Sequence, residues 1–139
     1  MFRILLVEDS APEREQLREL LEHRGAHVTE AATDTAAYAA LSASNHEDFD
    51  LLLTGVNLGV GTTGFDVARA ARRAIPELPI VYMTACPGID MAAHALEGSL
   101  SLRKPARLSE LADQVLDYVA ARRRGETSAP QLGEGGIRA

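Results

Sequence analysis

The sequence predicts an α/β fold, a parallel sheet of five strands covered on both faces by helices, and two observations carry that expectation. Short apolar runs alternate five times with stretches of helical periodicity, and alternating β and α elements joined by right-handed crossovers leave little but a doubly wound parallel sheet. The runs themselves are apolar almost throughout, as in residues 2–7, where only Arg3 interrupts. That is the pattern of a strand buried on both faces.

The elements follow in order. Residues 2–7 form the first strand, which ends abruptly at Glu8 and Asp9. Ser10, Pro12 and Glu13 then combine an N-cap serine, a first-turn proline and a glutamate spaced to close a capping box. The helix they open carries Leu17, Leu20 and Leu21 on one face and stops at Gly25. A strand over 26–31, a helix over 34–42 and a strand over 50–54 come next. A glycine-rich loop leads into a helix over 64–74, and Pro76 and Pro79 precede a strand over 80–84. A short helix over 89–96 and a strand over 99–102 lead to Lys104 and Pro105. The last helix presents Leu108, Leu111, Val115 and Val119 on one face and breaks down after Arg124. The expected organisation is one domain over residues 1–124 and a disordered tail over 125–139, where Gly, Pro, Ser and Gln take over. No further apolar segment follows that could make another domain.

Composition narrows the function classes. A chain of 139 residues that is 46% hydrophobic and 24% charged is a globular mixture able to build one core. The apolar start reaches Glu8 and Asp9 too soon for a signal peptide, and no uncharged stretch approaches a membrane span. A cytoplasmic location is therefore expected. Cys86 stands alone, so no internal disulfide forms, and His23, His27, His46 and His94 lack the spacing of a metal cluster. A net charge of -6 argues against nonspecific nucleic acid binding, with the run Arg122 to Arg124 read as a solvated helix end. Tyr38, Tyr82 and Tyr118 are read as packing residues.

In a doubly wound sheet the ligand site lies at the carboxyl ends of the strands. Four strands deliver distinctive residues there: Glu8 and Asp9, Gly55, Thr84 and Lys104. Adjacent carboxylates suit Mg²⁺, which commonly takes one or two carboxylates together with phosphate oxygens. A hydroxyl and an ammonium opposite them are fit to hold a phosphoryl group. The plainer alternative is that Asp9 merely pairs with Lys104 while Thr84 ends a strand.

Over roughly residues 2–121 the sequence resembles the receiver domains of bacterial response regulators. The motifs that carry the resemblance are Ile4-Leu5-Leu6-Val7-Glu8-Asp9, Asp50-Leu51-Leu52-Leu53-Thr54-Gly55-Val56-Asn57-Leu58, Ile80-Val81-Tyr82-Met83-Thr84-Ala85 and Arg103-Lys104-Pro105. Each is weak alone, and their shared order is specific. The resemblance implies a flavodoxin-like sheet of strand order 2-1-3-4-5. It also implies Glu8 and Asp9 as metal-binding acids, the carbonyl of Asn57 as a further ligand, Thr84 as the switch hydroxyl and Lys104 as the phosphoryl-binding cation. The family's phosphate-accepting aspartate falls on Gly55, which has no side chain to act as a nucleophile and removes one carboxylate from the metal site. Mg²⁺ is then weakened and no cofactor is required. Thr54 is no substitute, because successive strand residues point to opposite faces. Asp50 lies about 16 Å back along the strand at ~3.3 Å per residue.

Further departures point to a changed switch. Ser101 stands where the family usually has an aromatic toggle, Ala106 follows Lys104-Pro105 in place of a bulky apolar residue, and the stretch 86–96 leaves only a short helix. The resemblance therefore implies a non-enzymatic two-component signalling module acting by phosphorylation-independent protein contact. Its expected partners are a sensor histidine kinase, a phosphotransfer protein or a downstream signalling protein, with no membrane and an oligomeric state left open. The alternative is a conventional phosphotransfer receiver in which Gly55 is an engineered or recent substitution of aspartate. Three other readings are weaker. The run Gly59-Val60-Gly61-Thr62-Thr63-Gly64 matches G-x-G-x-x-G, but that fingerprint belongs after the first strand of its unit, with an acid where this chain has Thr84. A phosphohydrolase needs a nucleophile beside the strand-end acids, where the chain offers only Glu8, Asp9 and Ser10. Cys86 has no second cysteine with which to form a redox pair.

Overall fold

A computed structural model describes residues 2–43, 49–59, 63–84, 94–104 and 107–123 of the chain. Five strands, β1 (Arg3–Val7), β2 (His27–Ala31), β3 (Leu51–Gly55), β4 (Ile80–Thr84) and β5 (Leu100–Arg103), pair in parallel in the order β2-β1-β3-β4-β5. The described helices are α1 (Ala11–His23), α2 (Asp34–Ala43), α3 (Gly64–Ala74) and α4 (Leu108–Arg123). The short helix expected over 89–96 falls largely outside the described residues, as do Cys86, Ala106 and the tail.

Alternation along the strands sorts the core into two layers. Ile4, Leu6, Leu51, Leu53, Val81 and Met83 meet Leu17 and Leu21 of α1 and Leu111, Val115 and Val119 of α4. On the other face Leu5, Val7, Leu52, Ile80 and Tyr82 meet Ala37 and Leu41 of α2 and Phe65, Val67, Ala68 and Ala71 of α3. All five residues of β3 are buried, so the central strand has no solvent face.

Local chemistry sets the ends. Helix α1 closes in a Schellman motif: Gly25, at φ +96°, donates its N–H to the Glu22 carbonyl at 3.0 Å and Ala26 to that of Leu21 at 3.1 Å. With Ala26 so engaged, β2 starts one residue later than the sequence pattern implies. Strand β3 likewise begins at Leu51, because the Asp50 carboxylate accepts the Arg3 N–H at 2.8 Å. Strand β5 starts at Leu100, since Ser99 turns back on the Leu96 carbonyl through its N–H at 3.2 Å and its hydroxyl at 2.5 Å.

The expected capping box is not formed. Ser10 is the N-cap of α1 but makes no side-chain cap hydrogen bond, and the Glu13 carboxylate is drawn instead to the ammonium of Lys104. At α3 the cap is supplied by Thr63, whose hydroxyl accepts the Asp66 N–H at 3.4 Å.

Candidate functional site at the strand carboxyl edge

Strand register determines what meets at the edge. Val7 pairs with Thr54 and Gly55 with Met83, so the residue after β1 lies abreast of Gly55. Glu8, Asp9, Gly55, Asn57, Thr84 and Lys104 line one cavity of about 370 Å³, with Ser10, Glu13, Val56 and Met83 completing its wall. Every strand-end residue singled out in the sequence is therefore brought together. Ser101 is not in this cavity: it pairs across the sheet with Tyr82, at the same level of β5.

Glu8 is the pivot of the arrangement, although it is only 2% exposed. Its backbone N–H donates to the Ala31 carbonyl at 3.1 Å and its carbonyl accepts from the Arg14 guanidinium at 2.8 Å. Its carboxylate accepts the Ser10 N–H at 3.0 Å on Oε2 and the Lys104 ammonium at 2.9 Å on Oε1. Lys104 also donates to Glu13 Oε1 at 2.7 Å, and its backbone N–H is held by the Thr84 carbonyl at 3.0 Å. The pairing of Asp9 with Lys104, the plainer alternative from the sequence, is thus replaced by Lys104 between Glu8 and Glu13, while Asp9 is exposed.

Burial pushes the Glu8 carboxyl above its ordinary value, and the Ser10 N–H and Lys104 ammonium pull it down without overcoming that push. For Lys104 burial works against the charge, but Glu13 and Glu8 outweigh it and hold the ammonium above its usual value. The difference is physical: Lys104 has two carboxylates and keeps some solvent contact, whereas Glu8 is almost fully enclosed.

Thr54 faces away from the cavity, as alternation requires. It is fully buried and donates its hydroxyl to the Gly55 carbonyl at 2.9 Å. A Cβ on Gly64 would stand 3.0 Å from that hydroxyl oxygen and 2.0 Å from the Gly55 carbonyl oxygen. The glycine at position 64 therefore lets the start of α3 lie against the end of β3, which is a packing role. Glu13 is the participant the sequence did not reveal. Its partner is 91 residues away, and its spacing from Ser10 was fully accounted for by a local motif.

The residue pattern, strand order and edge cavity agree with a match to the family model described as response regulator receiver domain, over residues 4–116. The chain belongs to that family. This receiver is 33% identical over 117 residues to the response regulator receiver protein CpdR of Brucella abortus, covering 83% of this chain and 94% of that protein. It is 34% identical over 115 residues to the response regulator protein FleR of Pseudomonas aeruginosa, covering 81% of this chain and 24% of that one. A solved receiver protein from Sinorhizobium medicae superposes with a TM-score of 0.77 at 27% identity, covering 87% of this chain and 96% of its own. The chemotaxis protein CheY4 of Vibrio cholerae gives 0.74 at 27% identity, covering 86% and 98%. The receiver is thus a module of two-component signalling, in which such domains interact with kinases or phosphotransfer proteins. Among the described residues no helix is long and apolar enough to cross a membrane.

Family membership implies a divalent cation at the acidic edge, and the donor set does not fit one. Both Glu8 oxygens already have partners, one of them a cation, Asp9 is exposed, and Gly55 offers no oxygen from a side chain. Among the described residues no group of three or more His, Cys, Asp or Glu side chains is arranged to hold a metal ion. Mg²⁺ favours near-octahedral oxygen shells, and here it would compete with Lys104 for its most buried carboxylate.

Proposed function

We propose that this receiver works as a protein-interaction module without aspartyl phosphorylation, and that Gly55 occupies the position of the phosphate acceptor. The observation that carries the reading is that β3 ends in the cavity at Gly55, in register with Met83, and that this position carries no side chain to act as a nucleophile. The neighbouring hydroxyl of Thr54 is buried on the opposite face and engaged with a backbone carbonyl, which supports the absence of a substitute. Thr84 and Lys104 are the switch and phosphoryl-binding positions by resemblance. In this reading they no longer act on a phosphoryl group, and neither Mg²⁺ nor another cofactor is required. The module is not an enzyme. Its partners are a sensor histidine kinase, a phosphotransfer protein or a downstream signalling protein in the cytoplasm, met through a preset surface.

The retained grouping of Glu8, Asp9, Thr84 and Lys104 in one cavity favours a second reading, a conventional receiver altered only at position 55. Incubation with an acyl phosphate and Mg²⁺ tests the first reading on the wild-type chain and the second on Gly55→Asp. The intact mass of the wild-type chain should stay unchanged, while Gly55→Asp should gain one phosphoryl group. An adduct on the wild-type chain, mapped to Glu8, Asp9 or Thr54, would overturn the proposal. A Gly55→Asp variant that stays unmodified would overturn the second reading and leave the first in place.

A further inference from the structure

We infer that the site fills itself: the Glu8 carboxylate occupies the space that a side chain at position 55 would take, with Lys104 as its counterion and Glu13 latching that cation to α1. This deepens the proposed function and rests on reading Gly55 as the acceptor position. It adds what the vacated space is used for.

The geometry is specific. A Cβ built on Gly55 would lie 3.1 Å from Glu8 Oε1 and 3.8 Å from Glu8 Cδ. The nearer contact is tight enough that the Glu8 tip must give by a few tenths of an ångström to admit a side chain at position 55. Register makes the two positions rivals, because Val7 pairs with Thr54 and residue 8 follows abreast of residue 55. Leu6 and Leu53 face the same core layer, and two further steps of alternation place Glu8 and Gly55 on that same face.

Lys104 completes the device. It comes from the end of β5, on the far side of β3 and β4 from β1, and its ammonium reaches back to Glu8 at 2.9 Å and to Glu13 at 2.7 Å. The three side chains join β1, α1 and the end of β5 across the gap that Gly55 leaves. One cation shared by two carboxylates has a net negative charge, so an entering phosphoryl anion meets repulsion and an ammonium already engaged. An entering cation must compete with the Lys104 ammonium for the buried Glu8 carboxylate, and two cations drawn to one carboxylate repel each other. Substitution at position 55, and not the presence of ligand, then decides where Glu8 and Lys104 sit.

The test uses the full chain and Mg²⁺ alone. In ¹H–¹⁵N spectra the wild-type amides of Glu8, Asp9 and Gly55 should show no saturable shift up to about 10 mM Mg²⁺, and Gly55→Asp should bind at least about tenfold more tightly because it evicts Glu8 and adds an oxygen ligand. Thermal melts of Glu8→Gln, Lys104→Met and the double variant supply an independent readout. The double variant should lose clearly less than the sum of the two single losses, as expected for residues that share a contact, although Lys104 also pairs with Glu13. Gly55→Ala, which displaces the Glu8 tip without adding a charge, should reduce the loss caused by Lys104→Met and covers the case where Glu8→Gln fails to fold. Equal Mg²⁺ affinity in wild type and Gly55→Asp, or additive losses in the melts, would overturn the inference. Those failures need no phosphoryl donor, so they are distinct from a covalent adduct on the wild-type chain, which would overturn the proposed function instead.

Discussion

Gly64 meets the Gly55 carbonyl oxygen at a distance where a Cβ would stand only 2.0 Å away, so the backbone itself would have to yield to any side chain. Gly64→Ala should lower stability by about 2 to 3 kcal/mol, at the upper end of ordinary overpacking, measured as a shift in urea midpoint at constant slope. In the sequence this residue read as the end of a loop fingerprint and the start of a helix, because pattern shows that a glycine is present and not which backbone it approaches. Buried phenols give a second prediction at this scale. Burial raises both Tyr82 and Tyr118 above the ordinary phenol value, and for Tyr82 it outweighs the Leu96 N–H that its hydroxyl accepts at 3.2 Å. A folded value above the unfolded one means that their contribution is complete below pH about 10 and is lost as pH rises through the folded value. Tyrosinate absorbance should show Tyr82 and Tyr118 ionising late, together with a loss of stability. Early ionisation of both in the folded protein would contradict it.

Helix α1 shows why elements were easier to read than their end chemistry. Its apolar face and its stop at Gly25 follow from local spacing, and both are found, with Leu17 and Leu21 buried and a Schellman closure. The capping box was equally regular in sequence, yet a lysine from the opposite end of the sheet takes the glutamate away. A tertiary ion pair competes with a local hydrogen bond, and sequence spacing carries no trace of the competitor. Ser10→Ala should therefore change stability by less than about 0.5 kcal/mol, below the ~1 kcal/mol typical of a capping serine, in denaturant melts. A loss near that typical value would mean that the hydroxyl caps the helix in solution. Strand ends were legible to within a residue, and the shifts at β2, β3 and β5 each trace to a turn or side-chain bond just before the strand.

At the scale of the molecule, a parallel sheet covered on both faces, with Glu8, Asp9, Gly55, Thr84 and Lys104 gathered at its carboxyl edge, followed from alternation and crossover handedness, while the strand order followed from the family resemblance. The hydrogen-bond partners inside the cavity followed from neither. Sequence delivers each side chain to the edge, and only packing selects Glu8 over Asp9 as the partner of Lys104. That choice joins the fold to the proposed function, because the cation a phosphoryl group would need is already held by the protein's own carboxylates. The most direct measurement is phosphoryl transfer from sensor kinases carrying labelled phosphohistidine. The wild-type receiver should acquire no label from any kinase in the panel, whereas Gly55→Asp should be labelled by at least one in the presence of Mg²⁺. Label on the wild-type chain that is lost at alkaline pH, as an acyl phosphate is, would contradict the account.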